Sequence, residues 1–157
     1  TGWEILSDDF SILGDCGVPV VEPGTTGVCL WQKSCSALDL DPARCDAMPG
    51  YEGKVRFEPR REHQLSPSRL RAFIVLERED GVAAPALRPL SRAEILVAAI
   101  RQLVLFNPAA PPLEERASGI GRLNDMIRVV PGYALRVPSS FPALAGIPPL
   151  LERLLIA

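Results

Sequence analysis

Apolar and polar residues change rhythm about halfway along the chain. In the first half the apolar residues come in short, strand-length runs broken by turn chemistry. Trp3-Glu4-Ile5-Leu6 reads as a strand that ends on Ser7-Asp8-Asp9, and Phe10-Ser11-Ile12-Leu13 alternates large and small side chains as a half-buried strand does. Gly14-Asp15-Cys16-Gly17 supplies a turn, and Val18-Pro19-Val20-Val21 is the returning arm of a hairpin, short or at an edge because Pro19 has no N–H to donate. A Gly- and Thr-rich loop over 23–27 precedes Val28-Cys29-Leu30-Trp31, which predicts another strand. One or two helical turns follow over 33–40, then a loop over 42–53 that turns at Pro49-Gly50, then the alternating strand Lys54-Val55-Arg56-Phe57-Glu58. The strongest strand spans 69–78, where Phe73-Ile74-Val75-Leu76 is apolar on both faces and predicts a central place in a sheet.

The second half runs at helical spacing. Ser91-Arg92-Ala93-Glu94 is a capping box, with Ile95, Ala98, Ala99, Leu103 and Phe106 on the face behind it, and Asn107-Pro108 predicts the stop. A second helix is expected over 113–130 despite Gly119 and Gly121, each costing roughly 1 kcal/mol relative to Ala. Pro131-Gly132 turns the chain into a last strand over 133–137, and a helix from 149 carries Leu150, Leu151, Leu154 and Leu155. Strands first and helices later, with no βαβ rhythm, predict an α+β fold: a mixed sheet, with hairpins in the N-terminal half and helices in the C-terminal half. The length, 157 residues, suits a single domain.

Charge and cysteine content narrow the function classes. With 17 basic against 19 acidic residues, the net charge of -2 argues against a nucleic-acid surface. No apolar run is long enough to span a bilayer and no signal-peptide order opens the chain, so the expectation is a cytoplasmic protein. Cys16, Cys29, Cys35 and Cys45 include no CxxC pair, and His63 is the one histidine, placed in a polar stretch that predicts a solvated role. Reduced, partly buried thiols fit this spacing better than a structural zinc site. The chain opens on Thr1 and on a strand with nothing before it to pair with, which predicts further residues upstream.

Asp8-Asp9 is the most informative pair for chemistry. Phosphoryl transfer needs an oxygen-rich site for Mg²⁺ and a carboxylate near the attacking hydroxyl, and acids at a strand end provide both on a rigid support. On an extended backbone adjacent carboxylates point to different sides, so one would face metal and the other substrate. Two acids after a strand also make an ordinary turn, which is the alternative reading.

The order of the blocks adds a resemblance. Glu4-Ile5-Leu6-Ser7-Asp8-Asp9, Leu30-Trp31, Leu38-Asp39-Leu40-Asp41, Gly50-Tyr51-Glu52-Gly53-Lys54, Leu90-Ser91-Arg92-Ala93-Glu94 and Val130-Pro131-Gly132-Tyr133-Ala134-Leu135 follow one another. Together they resemble the region downstream of the phosphate-binding loop in HPr-kinase-like serine kinases, whose kinase domain is similar to phosphoenolpyruvate carboxykinase. The resemblance implies ATP- and Mg²⁺-dependent phosphorylation of a hydroxyl on a protein or peptide. It matches Asp8 and Asp9 to the catalytic acid pair, one serving the metal and the other accepting the hydroxyl proton, with Asp8 the candidate metal ligand and the division between the two left open. Lys54 matches a basic position that could approach phosphate, the alternative being an ordinary surface charge at a strand's start. It also implies that these residues are the C-terminal portion of a larger kinase domain.

The chain departs from that pattern in one respect: it contains no G-x-x-x-x-G-K-[ST], and Gly119-Ile120-Gly121 is too short to cradle phosphate. The phosphate-binding loop is therefore expected from an upstream segment, with that segment or a second copy of the chain as partner. Three classes of function stay open: a kinase portion, a non-catalytic module that binds a peptide or protein, and a scaffold in which the acid pair only makes a turn.

Overall fold

A computed structural model describes residues 3–15, 17–25, 27–59, 65–103 and 113–156. The chain divides into two compact units, Thr1–Arg69 and Leu70–Ala157. The fold is α+β, as its sequence pattern predicts.

The first unit contains β1 (Ile12–Asp15), β2 (Pro19–Glu22), β3 (Val28–Trp31), α1 (Gln32–Ala37), β4 (Cys45–Ala47), β5 (Lys54–Phe57) and β6 (Ser68–Arg69). β1 and β2 form the expected hairpin, and β2 also pairs with β6 through Val20 and Val21. β2 is thus a middle strand, and Pro19 is tolerated because it stands at the strand's first residue, outside the β6 pairing. The other sheet is antiparallel in the order β3-β5-β4. Cross-strand partners share a face, so Cys29 opposite Arg56 and Trp31 opposite Lys54 make one face polar and aromatic. Leu30 opposite Val55 and Val28 opposite Phe57 make the other face apolar.

Two expectations for this unit fail. Residues 3–7 form no strand, and Trp3 and Ile5 are exposed. Among the described residues no strand pairs with them, and an apolar run without a hydrogen-bonded neighbour has no ladder to join. The 42–53 segment is more ordered than a loop: a 3-10 turn over Pro42–Arg44 leads into β4. Cys16, His63 and the predicted stop at Asn107-Pro108 lie outside the described residues.

The second unit contains β7 (Phe73–Arg78), β8 (Ala86–Pro89), α2 (Arg92–Gln102), α3 (Leu113–Val129), β9 (Gly132–Val137) and α4 (Ile147–Ile156). In place of the single mixed sheet expected, the described residues form three three-stranded sheets; the one in this unit is mixed, in the order β7-β9-β8, with β9 parallel to β7 and antiparallel to β8. The central strand is therefore β9, with Ala134 and Leu135 fully buried, whereas β7 lies at an edge with Leu76 70% exposed. The strand expected over 69–78 is observed only from Phe73 to Arg78, with Arg69 ending β6 and residues 70–72 outside any strand, and its apolar run says nothing about its neighbours. A parallel partner must return by a long crossover, here through β8, α2 and α3, and it arrives on one side of β7 only. Leu123, Met126, Ile127 and Val130 form the buried stripe of α3 and its end, at the spacing of one helical face, and α2 packs on α3, β7 and β9 with Ile95 buried.

The capping box of α2 is present as predicted. Ser91 Oγ accepts from the Glu94 N–H at 3.3 Å, and Glu94 Oε2 accepts from the Ser91 N–H at 2.8 Å. Three donors to the carboxylate, first the Ser91 N–H, then the Ser91 hydroxyl at 2.7 Å and then the Arg88 guanidinium at 3.0 Å, lower the Glu94 carboxyl from its ordinary 4.5 to about 2. A carboxyl lowered in the folded state stabilises the fold above its unfolded pKa, and that contribution is lost as pH falls from 4.5 toward 2. The group is solvent-exposed, so screening keeps the effect small. In thermal melts followed down this window, Glu94→Gln should show a shallower acid-side loss of Tm than the wild type.

Candidate functional site

Asp8 and Asp9 sit in the irregular segment that precedes β1, and three contacts fix it. The Gly24 N–H donates to the Leu6 carbonyl at 2.9 Å, Ser7 Oγ donates to the Phe10 carbonyl, and the Phe10 N–H donates to the Asp8 carbonyl. The last of these closes a tight turn around Asp9, whose φ of +50° is left-handed, a region in which Asp is enriched among non-glycine residues. The loop over 23–27 leaves no room for side chains at two points. A Cβ on Gly24 would lie 2.1 Å from Ser7 Oγ, and a Cβ on Gly27 would lie 2.5 Å from Arg56 Nε and 2.6 Å from Glu58 Oε1. The absence of a side chain at Gly24 lets Ser7, next to the acid pair, lie against the loop that leads into β3.

The decisive bond crosses from that segment to the sheet: the Cys29 N–H on β3 donates to Asp8 Oδ2 at 2.8 Å. Asp8 is half-buried and Asp9 exposed, and one ligand atom from each of Asp8, Asp9 and Cys29 lies within 4.8 Å of the others. The two carboxylates thus converge, whereas an extended backbone would have sent them to opposite sides. The turn at Asp9 makes the difference, because a left-handed residue breaks the strand alternation.

Arg56, opposite Cys29 on β5, is a cation of this neighbourhood. It pairs with Glu58 at 2.9 Å, and its pKa is raised first by that hydrogen bond and further by the charges of Cys29 and Asp8, against a desolvation effect that lowers it. Lys54 stands two residues earlier on the same strand and face. Its ammonium lies 5.2 Å from the Trp31 ring centre and 5.3 Å from that of Tyr51, a cation–π arrangement on exposed aromatic rings.

The donor set can be tested against the groups that the resemblance implies. Two carboxylates that converge supply the hard oxygen ligands that Mg²⁺ prefers, and Mg²⁺ commonly takes its remaining ligands from water and nucleotide phosphates. The Cys29 thiol is too soft to add to such a site. The phosphates of ATP fit less well, since no phosphate-binding loop motif occurs in these 157 residues. Cys29 and Arg56 escape sequence reasoning because only the β3-β5 register places them beside Asp8. The Gly-Thr-rich loop was the available signal, and it shows only that the backbone turns there. No family model, curated protein or solved structure matches the chain. No helix among the described residues is long and apolar enough to cross a membrane.

Proposed function

We propose that this chain is part of an ATP-dependent hydroxyl kinase of the HPr-kinase-like type, with a kinase core similar to phosphoenolpyruvate carboxykinase and a phosphate-binding loop supplied by a segment outside these 157 residues. The observation that carries the reading is the convergence of Asp8 and Asp9 at a point anchored by the Cys29 N–H. Asp8, held on the sheet, orients one carboxylate oxygen for Mg²⁺, which when bound neutralises charge on the transferred phosphoryl group. Asp9, the more exposed, would offer one oxygen to the same cation and with the other accept the proton of the attacking hydroxyl, whose oxygen bonds to the γ-phosphorus as the bond from that phosphorus to ADP breaks and ADP leaves. Arg56 and Lys54 lend positive charge to the same face of the sheet, where a polyanionic donor is favoured.

The test is to assay Mg²⁺-dependent transfer of labelled γ-phosphate to protein serine, using the 157 residues joined to the sequence encoded upstream of Thr1. An upstream G-x-x-x-x-G-K-[ST] together with transfer supports the proposal. Such a loop with neither transfer nor ATP binding contradicts it. By calorimetry the isolated chain should bind Mg-ATP weakly or not at all, and micromolar binding would place the phosphate site on residues other than these.

One observation favours a second reading, a non-catalytic module that binds a protein or peptide. Trp31 and Tyr51 are 51% and 58% exposed with the Lys54 ammonium within cation–π range of both, a surface suited to an extended peptide.

A further inference from the structure

The two parallel strands of the second unit end side by side, and the loops that follow them part. β7 and β9 pair as far as Arg78 opposite Val137, and the Glu79 N–H adds one more bond, to the Val137 carbonyl at 3.2 Å. Beyond it the chain after β7 turns at Gly81, φ +85°, toward β8, while the chain after β9 passes through the buried Pro138 into a 3-10 turn over Pro142–Gly146. Loops that separate past the carboxyl ends of parallel neighbours leave a crevice, and ligands of open parallel sheets bind in that position. Here the crevice is a cavity of about 240 Å³, with Arg78, Ser139 and Ser140 as its polar lining and Val137, Phe141 and Leu144 among its apolar lining.

Arg78 is the charged residue of that lining, and its guanidinium is held from one side. Ser139 Oγ donates its proton to Asp80 Oδ1, so it presents a lone pair to the Arg78 Nε–H, which donates to it at 3.0 Å. That bond uses one of five N–H groups. Glu77 and Glu79 alternate to the other face of the sheet, where Arg136 pairs with them at 4.0 and 3.3 Å. Among the described residues no carboxylate lies within ion-pair distance of Arg78. The edge that carries the two terminal NH₂ groups is thus left for an acceptor from outside the chain, and its paired N–H groups match the two oxygens of a carboxylate.

We propose that this crevice binds a small monocarboxylate with an apolar body. The carboxylate pairs with the terminal N–H groups of Arg78, oriented by Ser139, and the body covers Val137, Leu144 and the 42%-exposed Phe141. The cavity is below the roughly 300–1,000 Å³ of pockets for drug-sized ligands, which sets the size of the acid. Inorganic phosphate would satisfy the charge and leave the apolar wall in water. The site lies wholly in the second unit and shares no residue with Asp8, Asp9, Lys54 or Arg56.

The experiment titrates phenylacetate into the nitrogen-15-labelled 157-residue chain and follows the amide signals of Ser139, Ser140 and Phe141 by NMR. These should shift saturably with a midpoint of about 1–10 mM, the range of a small ligand at modest efficiency. Phenylacetamide keeps the shape without the charge, and phosphate keeps a charge without the body. Each should bind about tenfold or more weakly than phenylacetate. Arg78→Gln should lose phenylacetate binding by about tenfold or more, and Ser139→Ala by about threefold, because the guanidinium keeps its charge and loses the bond that orients it. An absence of saturable shifts at these amides overturns the proposal. So does phenylacetamide or phosphate binding as tightly as phenylacetate, or unchanged affinity in Arg78→Gln. The three probes on the wild-type chain decide the matter even if a variant fails to fold.

Discussion

Asp8→Asn should lower Mg²⁺-dependent phosphoryl transfer by about 10²-fold or more in the protein that carries a phosphate-binding loop, because a bound metal supplies several kcal/mol of charge stabilisation in the transition state, while leaving the melting temperature close to wild type. The geometry explains the separation. Asp8 Oδ2 accepts the Cys29 N–H, and the amide oxygen of Asn accepts the same bond at nearly the same length, so the fold keeps its anchor and the site loses its charge. Asp8→Ala should lose both. It leaves the Cys29 N–H without its acceptor at a half-buried position, a cost of roughly 1–2 kcal/mol. Single-turnover transfer and thermal melts on the three proteins separate the effects. If the acid pair only makes a turn, the order reverses: Asn and Ala would both lower Tm and neither would change turnover. Asp9→Asn should follow Asp8→Asn in activity. Its left-handed backbone tolerates Asn as well as Asp, so stability again should hold.

The second large effect is expected at Gly24, which touches no substrate in the proposed chemistry. A methyl group there would meet Ser7 Oγ at 2.1 Å and Ser7 Cβ at 2.8 Å, so either the loop or the acid segment must move. Ser7 immediately precedes the acid pair, and the Gly24 N–H also holds Leu6. Gly24→Ala should therefore destabilise the first unit by about 1–3 kcal/mol, the usual cost of overpacking, and displace Asp8 and Asp9. A displacement on the order of 1 Å can cost about 10² in rate. Removing the obstructing side chain supplies the control: Ser7→Gly combined with Gly24→Ala should recover most of the lost Tm. Full stability of the single Gly24→Ala variant would show that the close approach is not what seats the acid segment.

The helices of the second half and β9 were legible in the sequence because each carries its own local signal, whereas β8 was not foreseen. The Ser91 to Glu94 capping box starts α2, and the spacing of Leu123, Met126, Ile127 and Val130 marks a helical face that turns out to be buried. Strand order was not legible. Phe73 to Leu76 is more apolar than Gly132 to Val137, yet the latter is central, because the crossover through two helices decides which strand gains neighbours on both sides. The stretch Trp3 to Leu6 failed for a related reason: β propensity describes a fit to a partner strand, and none pairs with it among the described residues.

The candidate site divides in the same way. Asp8 and Asp9 stand out as adjacent charges after an apolar run, but their convergence depends on one left-handed residue and on a bond to Cys29, 21 positions away in sequence. Arg56 joins them only through strand register. Lys54, two residues before it, is a basic residue of a resembling block, and its aromatic neighbours Trp31 and Tyr51 come together only when β3 pairs with β5.

The central claim, that Asp8 and Asp9 jointly organise a divalent cation, is tested most directly on the metal itself. Mn²⁺ can replace Mg²⁺ at oxygen sites and is read by electron paramagnetic resonance as free ion is lost on titration with the 157-residue chain. The account predicts one Mn²⁺ site that Mg²⁺ displaces and that weakens by about tenfold or more in both Asp8→Asn and Asp9→Asn, with Cys29→Ser close to wild type because the backbone N–H rather than the thiol does the anchoring. Identical titrations for the wild type and the two Asn variants, or a site lost only in Cys29→Ser, would contradict it.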